Sequence, residues 1–160
     1  MKVDTATDAE QLAQVRTLFR EYAEWLNVDL SFQDFDRELR ELPGEYFPPT
    51  GTLFLCNTPA GVAGCVAVRK WADDIAEMKR LFVRPDFRGY GCGRLLAERA
   101  VSWARDVGYK RMYLDSLDSM VAARALYERL GFAPTEPYRF NPLPGATYMV
   151  LDLTEGAGGV

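Results

Sequence analysis

A mixed α/β sheet with helices on both sides is the fold class this 160-residue sequence predicts, and three observations carry it. Short apolar runs of strand period alternate with longer runs of helical period, in the order strand, two helices, three strands, helix, strand, helix, two strands. A glycine-rich turn, Arg88-Gly89-Tyr90-Gly91-Cys92-Gly93, joins the end of an apolar strand to the start of an amphipathic helix. Hydrophobic residues make up 48% of the chain, so one domain of this length buries a sizeable core.

Each element has a local reason. Met1 to Thr5 reads as a first strand, after which Thr7 or Asp8 caps a long helix with Leu12, Val15, Leu18, Phe19, Tyr22 and Leu26 at helical period. A shorter helix spans Phe32 to Leu42 and stops at Pro43-Gly44. Pro48-Pro49 to Gly51 is loop. Strands follow at Thr52 to Asn57 and Val62 to Trp71, joined across Thr58-Pro59-Ala60-Gly61, and a third runs from Ile75 to Val83. The consecutive apolar Leu81, Phe82 and Val83 imply a strand buried on both faces or bulged near its end. From Gly91 onward Leu96, Ala100, Trp103 and Val107 recur on one helix face. Arg111 to Asp115 is a short strand. A helix from about Ser119 to Leu130 ends at Gly131, a helix-terminating glycine. Phe132 to Tyr138 and Ala146 to Leu153 form a last strand pair around Asn141-Pro142-Leu143-Pro144-Gly145, and Thr154 to Val160 reads as a disordered tail outside a single domain of residues 1–153.

Charge points to an anion at the glycine turn. The chain has 19 Lys+Arg against 23 Asp+Glu, a net −4, yet Lys79 to Arg94 holds Lys79, Arg80, Arg84, Arg88 and Arg94 against Asp86 alone. That window is +4, so the remainder is −8. Glycine lets backbone N–H groups approach a ligand without an intervening Cβ, and the unpaired N–H groups and dipole of a helix start favour negative charge. The turn is neither G-x-x-x-x-G-K-[ST] nor G-x-G-x-x-G, because Arg94 and Leu96 stand at the third-glycine positions. It is R-x-x-G-x-G between a strand and a helix.

The run Leu81-Phe82-Val83-Arg84-Pro85-Asp86-Phe87-Arg88-Gly89-Tyr90-Gly91-Cys92-Gly93-Arg94-Leu95-Leu96, followed by Ala123-Arg124-Ala125-Leu126-Tyr127-Glu128-Arg129-Leu130-Gly131-Phe132, resembles the GNAT superfamily of acetyl-CoA-dependent N-acetyltransferases. The resemblance is strong over about residues 74 to 133. It implies the GNAT fold, a central and mostly antiparallel sheet flanked by helices on both faces. It also implies that acetyl-CoA is the co-substrate, its pyrophosphate held by Arg88, Gly89, Tyr90, Gly91, Cys92, Gly93 and Arg94. The pantetheine arm then lies along Leu81, Phe82 and Val83. Where many relatives carry an asparagine that bonds the coenzyme arm, seven residues before the motif tyrosine, this chain has Met120.

Acetyl transfer needs a free amine as nucleophile, so a carboxylate that takes a proton is useful, and the departing thiolate gains from a nearby acid. Glu77, six residues before Val83, has a spacing similar to that of the catalytic glutamate of the histone-acetyltransferase branch and is the candidate base. A strand carboxylate paired with Lys79 or Arg80 is the competing reading. Tyr127 matches the family tyrosine that points at the thioester sulfur as general acid. On helical geometry alone it is a core aromatic sharing a face with Ala123 and Leu130. A covalent acyl-Cys92 is disfavoured, since no base accompanies the thiol and phosphates would oppose a thiolate.

Exclusions narrow the rest. The chain has no histidine, and Cys56, Cys65 and Cys92 form no C-x-x-C pair, which argues against zinc fingers and Ser-His or Cys-His catalysis; no metal is expected. Without an apolar run near 18 residues or a signal-like amino terminus, a cytoplasmic protein is the default, with no membrane partner. A pI near 5.0 disfavours nucleic acid. A small-molecule amine or amino-acid-like acceptor is expected first and a protein amino group second. A non-catalytic acyl-CoA-binding module and a homodimer are further alternatives. Residues 8–45 carry ten acids against four arginines, an acidic rim or simply solvated helix faces. Tyr138, Asn141 and Tyr148 are candidates to line the acceptor pocket, and Lys79 or Arg80 to hold an acceptor carboxylate.

Overall fold

The structure, a computed structural model, describes residues 1–31 and 34–154. The expected start of the second helix at Phe32, and the expected tail beyond Thr154, lie outside the described residues. The elements in order are β1 (Lys2–Thr5), α1 (Ala9–Leu26), α2 (Phe35–Glu41), β2 (Thr52–Thr58), β3 (Gly61–Ala72), β4 (Ile75–Val83), α3 (Cys92–Val107), β5 (Arg111–Leu117), α4 (Val121–Arg129), β6 (Ala133–Pro134) and β7 (Ala146–Asp152). The sheet has seven strands in the order β1-β2-β3-β4-β5-β7-β6. Every neighbouring pair is antiparallel except β4 and β5.

Alternation along β2 sorts its side chains between two cores, as the two-residue period of a strand requires. Leu53 and Leu55 pack with Val15, Leu18 and Phe19 of α1 and Leu39 of α2. Phe54 and Cys56 pack with Leu96, Ala97 and Ala100 of α3 and Leu126 and Tyr127 of α4. Helices therefore cover both faces, and each fully buried Leu or Phe contributes roughly 1.5–3 kcal/mol. Asp8, not Thr7, caps α1: its carboxylate accepts from Gln11 N at 2.8 Å while the Gln11 side chain accepts from Asp8 N at 3.1 Å. Such a capping box is worth about 1 kcal/mol.

Two boundaries depart from the sequence reading. The strand expected from Phe132 to Tyr138 shrinks to Ala133–Pro134, because Pro134 and Pro137 cannot donate to a ladder. The chain then leaves the sheet, carrying Tyr138 and Arg139 back over β4. The helix expected from Ser119 begins at Val121, since Met120 at its start offers no side-chain cap.

Two irregularities in β4 shape the site. Arg80 adopts φ +59°, and the register with β3 steps from Cys65↔Phe82 to Ala67↔Lys79, so Arg80 and Leu81 together oppose one residue. This bulge lets Lys79 and Arg80 turn toward the α1 side in succession. Strand β4 also pairs with β5 only through Ile75, Ala76 and Glu77 and then diverges from it. The divergence opens a cleft in the middle of the sheet.

Candidate active site

A groove of about 570 Å³ runs from the end of β4 to the starts of α3 and α4. Leu81, Phe82, Val83, Arg88, Gly89, Gly91, Cys92, Gly93 and Arg94 all line it, whereas Tyr90 is 73% exposed and does not. Gly89 and Gly91 hold φ +88° and +86°, conformations that residues with a Cβ rarely adopt, and a Cβ at either would meet no protein atom within 4 Å. The space over this turn is thus open, with no part of the fold packed against it. Gly91 begins α3 without a side-chain cap. The first-turn N–H groups and the dipole are left for an anion.

The five-cation window divides in space. Arg84 donates to both oxygens of Glu21 on α1, each at 2.8 Å, and Arg80 donates to both oxygens of Glu38 on α2 at 2.9 and 3.1 Å. Lys79 is buried. Only Arg88 and Arg94 of the five remain on the groove. Arg94 bonds Glu98 at 2.6 Å, and the Arg88 guanidinium donates to the Val83 carbonyl at 3.0 Å and lies 4.5 Å from the Trp25 ring centre. Trp25 of α1, Ser119 just before α4, Val121 and Ala122 at its start and Arg129 at its end are among the further lining residues that sequence reasoning did not assign to the groove. Trp25 had a signal, because it lies three residues after Tyr22 on the same helix face.

Beyond Leu81 and Met120, which line both spaces, the groove meets the cleft between β4 and β5. The closed part of the cleft measures about 40 Å³ and is walled by Tyr22, Lys79, Arg80, Asp115, Tyr127 and Asn141, among others. Tyr127 is buried, with its ring 5.8 Å from that of Phe132. Burial, then Tyr22 and the Asp115 charge, push its hydroxyl upward in pKa, so it stays protonated at neutral pH. Met120, in place of the asparagine, receives a contact from Ser116 Oγ at 3.6 Å through its sulfur.

Glu77 sits apart from that wall. It is fully buried, with Oε1 accepting from Arg69 Nε at 2.8 Å and Oε2 from Tyr138 Oη at 2.6 Å and Arg139 Nη1 at 2.9 Å. Burial raises its pKa, but Lys79, Arg69, Arg139 and the Tyr138 bond outweigh that and leave it below the usual carboxylate range. The sequence-based pairing with Arg80 is not what forms: Arg80 belongs to Glu38. Tyr138 stacks on Tyr113 at 4.7 Å and meets Trp71 and Tyr148 edge-on at 5.2 and 5.7 Å, so an aromatic shell encloses the network. Among the acids of residues 8–45, Glu21, Glu38 and Glu45 pair with Arg84, Arg80 and Arg69 and tie that region to the sheet.

Cys92 turns inward. Its sulfur lies 2.6 Å from that of Cys56, and burial, then the bond to Cys56, push its thiol up to about 12. A nucleophilic thiolate is not sustained there.

A sequence model of the acetyltransferase (GNAT) family matches residues 12–132. The chain belongs to the GNAT acetyltransferase family. It is 38% identical over 148 residues to an uncharacterized N-acetyltransferase of Schizosaccharomyces pombe, covering 91% of each chain. It is 33% identical over 129 residues to the N-acetylaspartate synthetase of Danio rerio, covering 78% of this chain and 46% of that one. A Salmonella typhimurium protein solved with its cofactor acetyl-CoA superposes with a TM-score of 0.70 at 22% identity, over 98% of this chain and 96% of that one. This GNAT chain is accordingly an acetyl-CoA-dependent N-acetyltransferase. No helix among its described residues is long and apolar enough to cross a membrane.

Proposed function

We propose that this enzyme transfers the acetyl group of acetyl-CoA to the primary amine of a small, amino-acid-like acceptor, with Tyr127 as general acid. The observation that carries the reading is the position of Tyr127, on the wall of the cleft that opens from the coenzyme groove where β4 and β5 part. Arg88, Arg94 and the backbone of the uncapped helix start suit the pyrophosphate, and the edge of Leu81 to Val83 suits the pantetheine amides. The amine nitrogen forms a bond to the thioester carbonyl carbon, the carbon–sulfur bond breaks, and the departing sulfur takes the Tyr127 hydroxyl proton. The amine gives up its own proton to a base. Small size fits a cleft whose enclosed space, about 40 Å³, is far less than the about 570 Å³ of the groove it opens from. Relatives named for N-acetylaspartate synthesis act, by name, on an amino acid.

Glu77 remains the base that sequence spacing suggests. Its ionised state supports that role, and its three hydrogen bonds oppose it, because a new proton must displace Tyr138, Arg139 or Arg69. Thiol release from acetyl-CoA, followed across an amine library, tests the activity and its acceptor together. Absence of amine-dependent release with every small amine would overturn the reading.

A further inference from the structure

The polar lining of the cleft has two signs of charge on opposite walls. Lys79 and Arg80 come from β4, and Asp115 comes from β5 with Asn141 donating to its Oδ2 at 2.9 Å. Alternation places Asp115 on the α1 side of β5, since Met112 and Leu114 point into the α3 and α4 core. The bulge places Lys79 and Arg80 on that same side. Tyr127 and Met120 close the cleft from the α4 side.

Charges of both signs crowd the α1 side of β4. Lys79, Arg80 and Glu77 are buried there, Arg69, Arg139 and Glu38 are partly buried beside them, and the exposed Glu45 reaches Arg69. Glu38 is engaged by both nitrogens of Arg80, and Glu77 is shared by Arg69, Arg139 and the Lys79 charge. Burial, then Arg80, lowers Lys79 to about 7. A carboxylate in the cleft favours the charged form of the lysine.

We infer that this cleft takes a free amino acid as acceptor, its amine facing Asp115 and its carboxylate facing Lys79. The inference rests on the acetyl-transfer reading above and adds the charge of the acceptor. Asp115 and Asn141 orient the amine toward Tyr127, while Lys79 fixes the far end of the molecule and excludes amines without an anion.

The test compares kcat/KM of the full chain for matched acceptors: free amino acids, including aspartate and β-alanine, against their carboxamides and against amines lacking the carboxyl group. Loss of one charged hydrogen-bonded contact lowers kcat/KM about 10- to 100-fold, so the wild type should favour the acids by that factor. In Lys79→Met, whose side chain keeps a similar length, the acid-to-carboxamide ratio should fall to near one, with the acetyl-CoA-induced shift in Tm retained. Carboxamides used as well as acids by the wild type would overturn the inference whether or not the variant folds. So would a Lys79→Met enzyme that lowers both classes equally. Acetylation confined to amines without carboxylates would overturn the inference and leave the acetyl-transfer reading standing, whereas no amine-dependent thiol release would remove both.

Discussion

Replacing Gly91 with Asp separates the fold from the coenzyme site. At φ +86° a side-chain-bearing residue costs about 1–2 kcal/mol, with Asp among the residues that tolerate the left-handed region best. Because a Cβ there meets no protein atom within 4 Å, no steric cost is added. The unliganded variant should therefore lose about 1 kcal/mol, which for a chain of this size lowers Tm by roughly 2–4 °C. Acetyl-CoA at about 100 times its dissociation constant should stabilise the wild type by about 2.7 kcal/mol. A carboxylate about 5 Å from one phosphate charge, at an effective dielectric of about 20, is repelled by about 3 kcal/mol. That weakens binding by roughly two orders of magnitude and leaves a ligand stabilisation of a few tenths of a kcal/mol at the same concentration. Thermal unfolding of both proteins with and without acetyl-CoA measures each quantity. A ligand-induced shift in Gly91→Asp as large as that of the wild type would refute the cradle at the start of α3.

Tyr127→Phe keeps the ring and its packing on Phe132, so stability should change by about 1 kcal/mol or less; as the acid, it should lower kcat at least about tenfold with the coenzyme dissociation constant unchanged. Full kcat in that variant would make Tyr127 a core aromatic only. Glu77→Gln leaves Arg69 and Arg139 without their buried anion and should cost about 3–5 kcal/mol by denaturant unfolding. Since folding lowers the Glu77 pKa, its contribution is present above the unfolded carboxylate range near pH 4.3 and is lost as pH falls through the folded value, so the acid limb of stability should flatten in the variant. If Glu77 is the base, turnover should fall about 10²–10⁴-fold at neutral pH and recover at high pH, and an equal loss at every pH would assign it to structure alone. Cys92, pushed up to about 12 and 2% exposed, should resist alkylation at pH 8 until the chain unfolds; rapid labelling in the native state would contradict its packing against Cys56.

Features set by neighbouring residues were legible in the sequence. A cap at Thr7 or Asp8, the period of α1 and α3 and the paired glycines at a strand-to-helix turn are short-range matters of side-chain shape and backbone freedom, whereas the apolar run ending β4 left burial on both faces and a bulge equally open. The groove at the end of β4 is legible for the same reason, since nine of the ten residues proposed to hold the coenzyme line it and fall within one stretch of chain from Leu81 to Arg94. What the tertiary structure decided is which charges meet. Glu77 joins Tyr138 and Arg139 across 61 and 62 residues, Arg80 joins Glu38 across 42, and Arg84 joins Glu21 across 63. A basic window that reads as one anion site thereby becomes two arginines on the groove, two clamps on α1 and α2, and a lysine in the cleft. No local pattern encodes that division, because it depends on one left-handed residue in β4, on proline ending β6 early, and on which helix each face of the sheet receives. A single-residue shift in a strand exchanges its faces, so the partners of a buried charge are settled only when register and topology are complete.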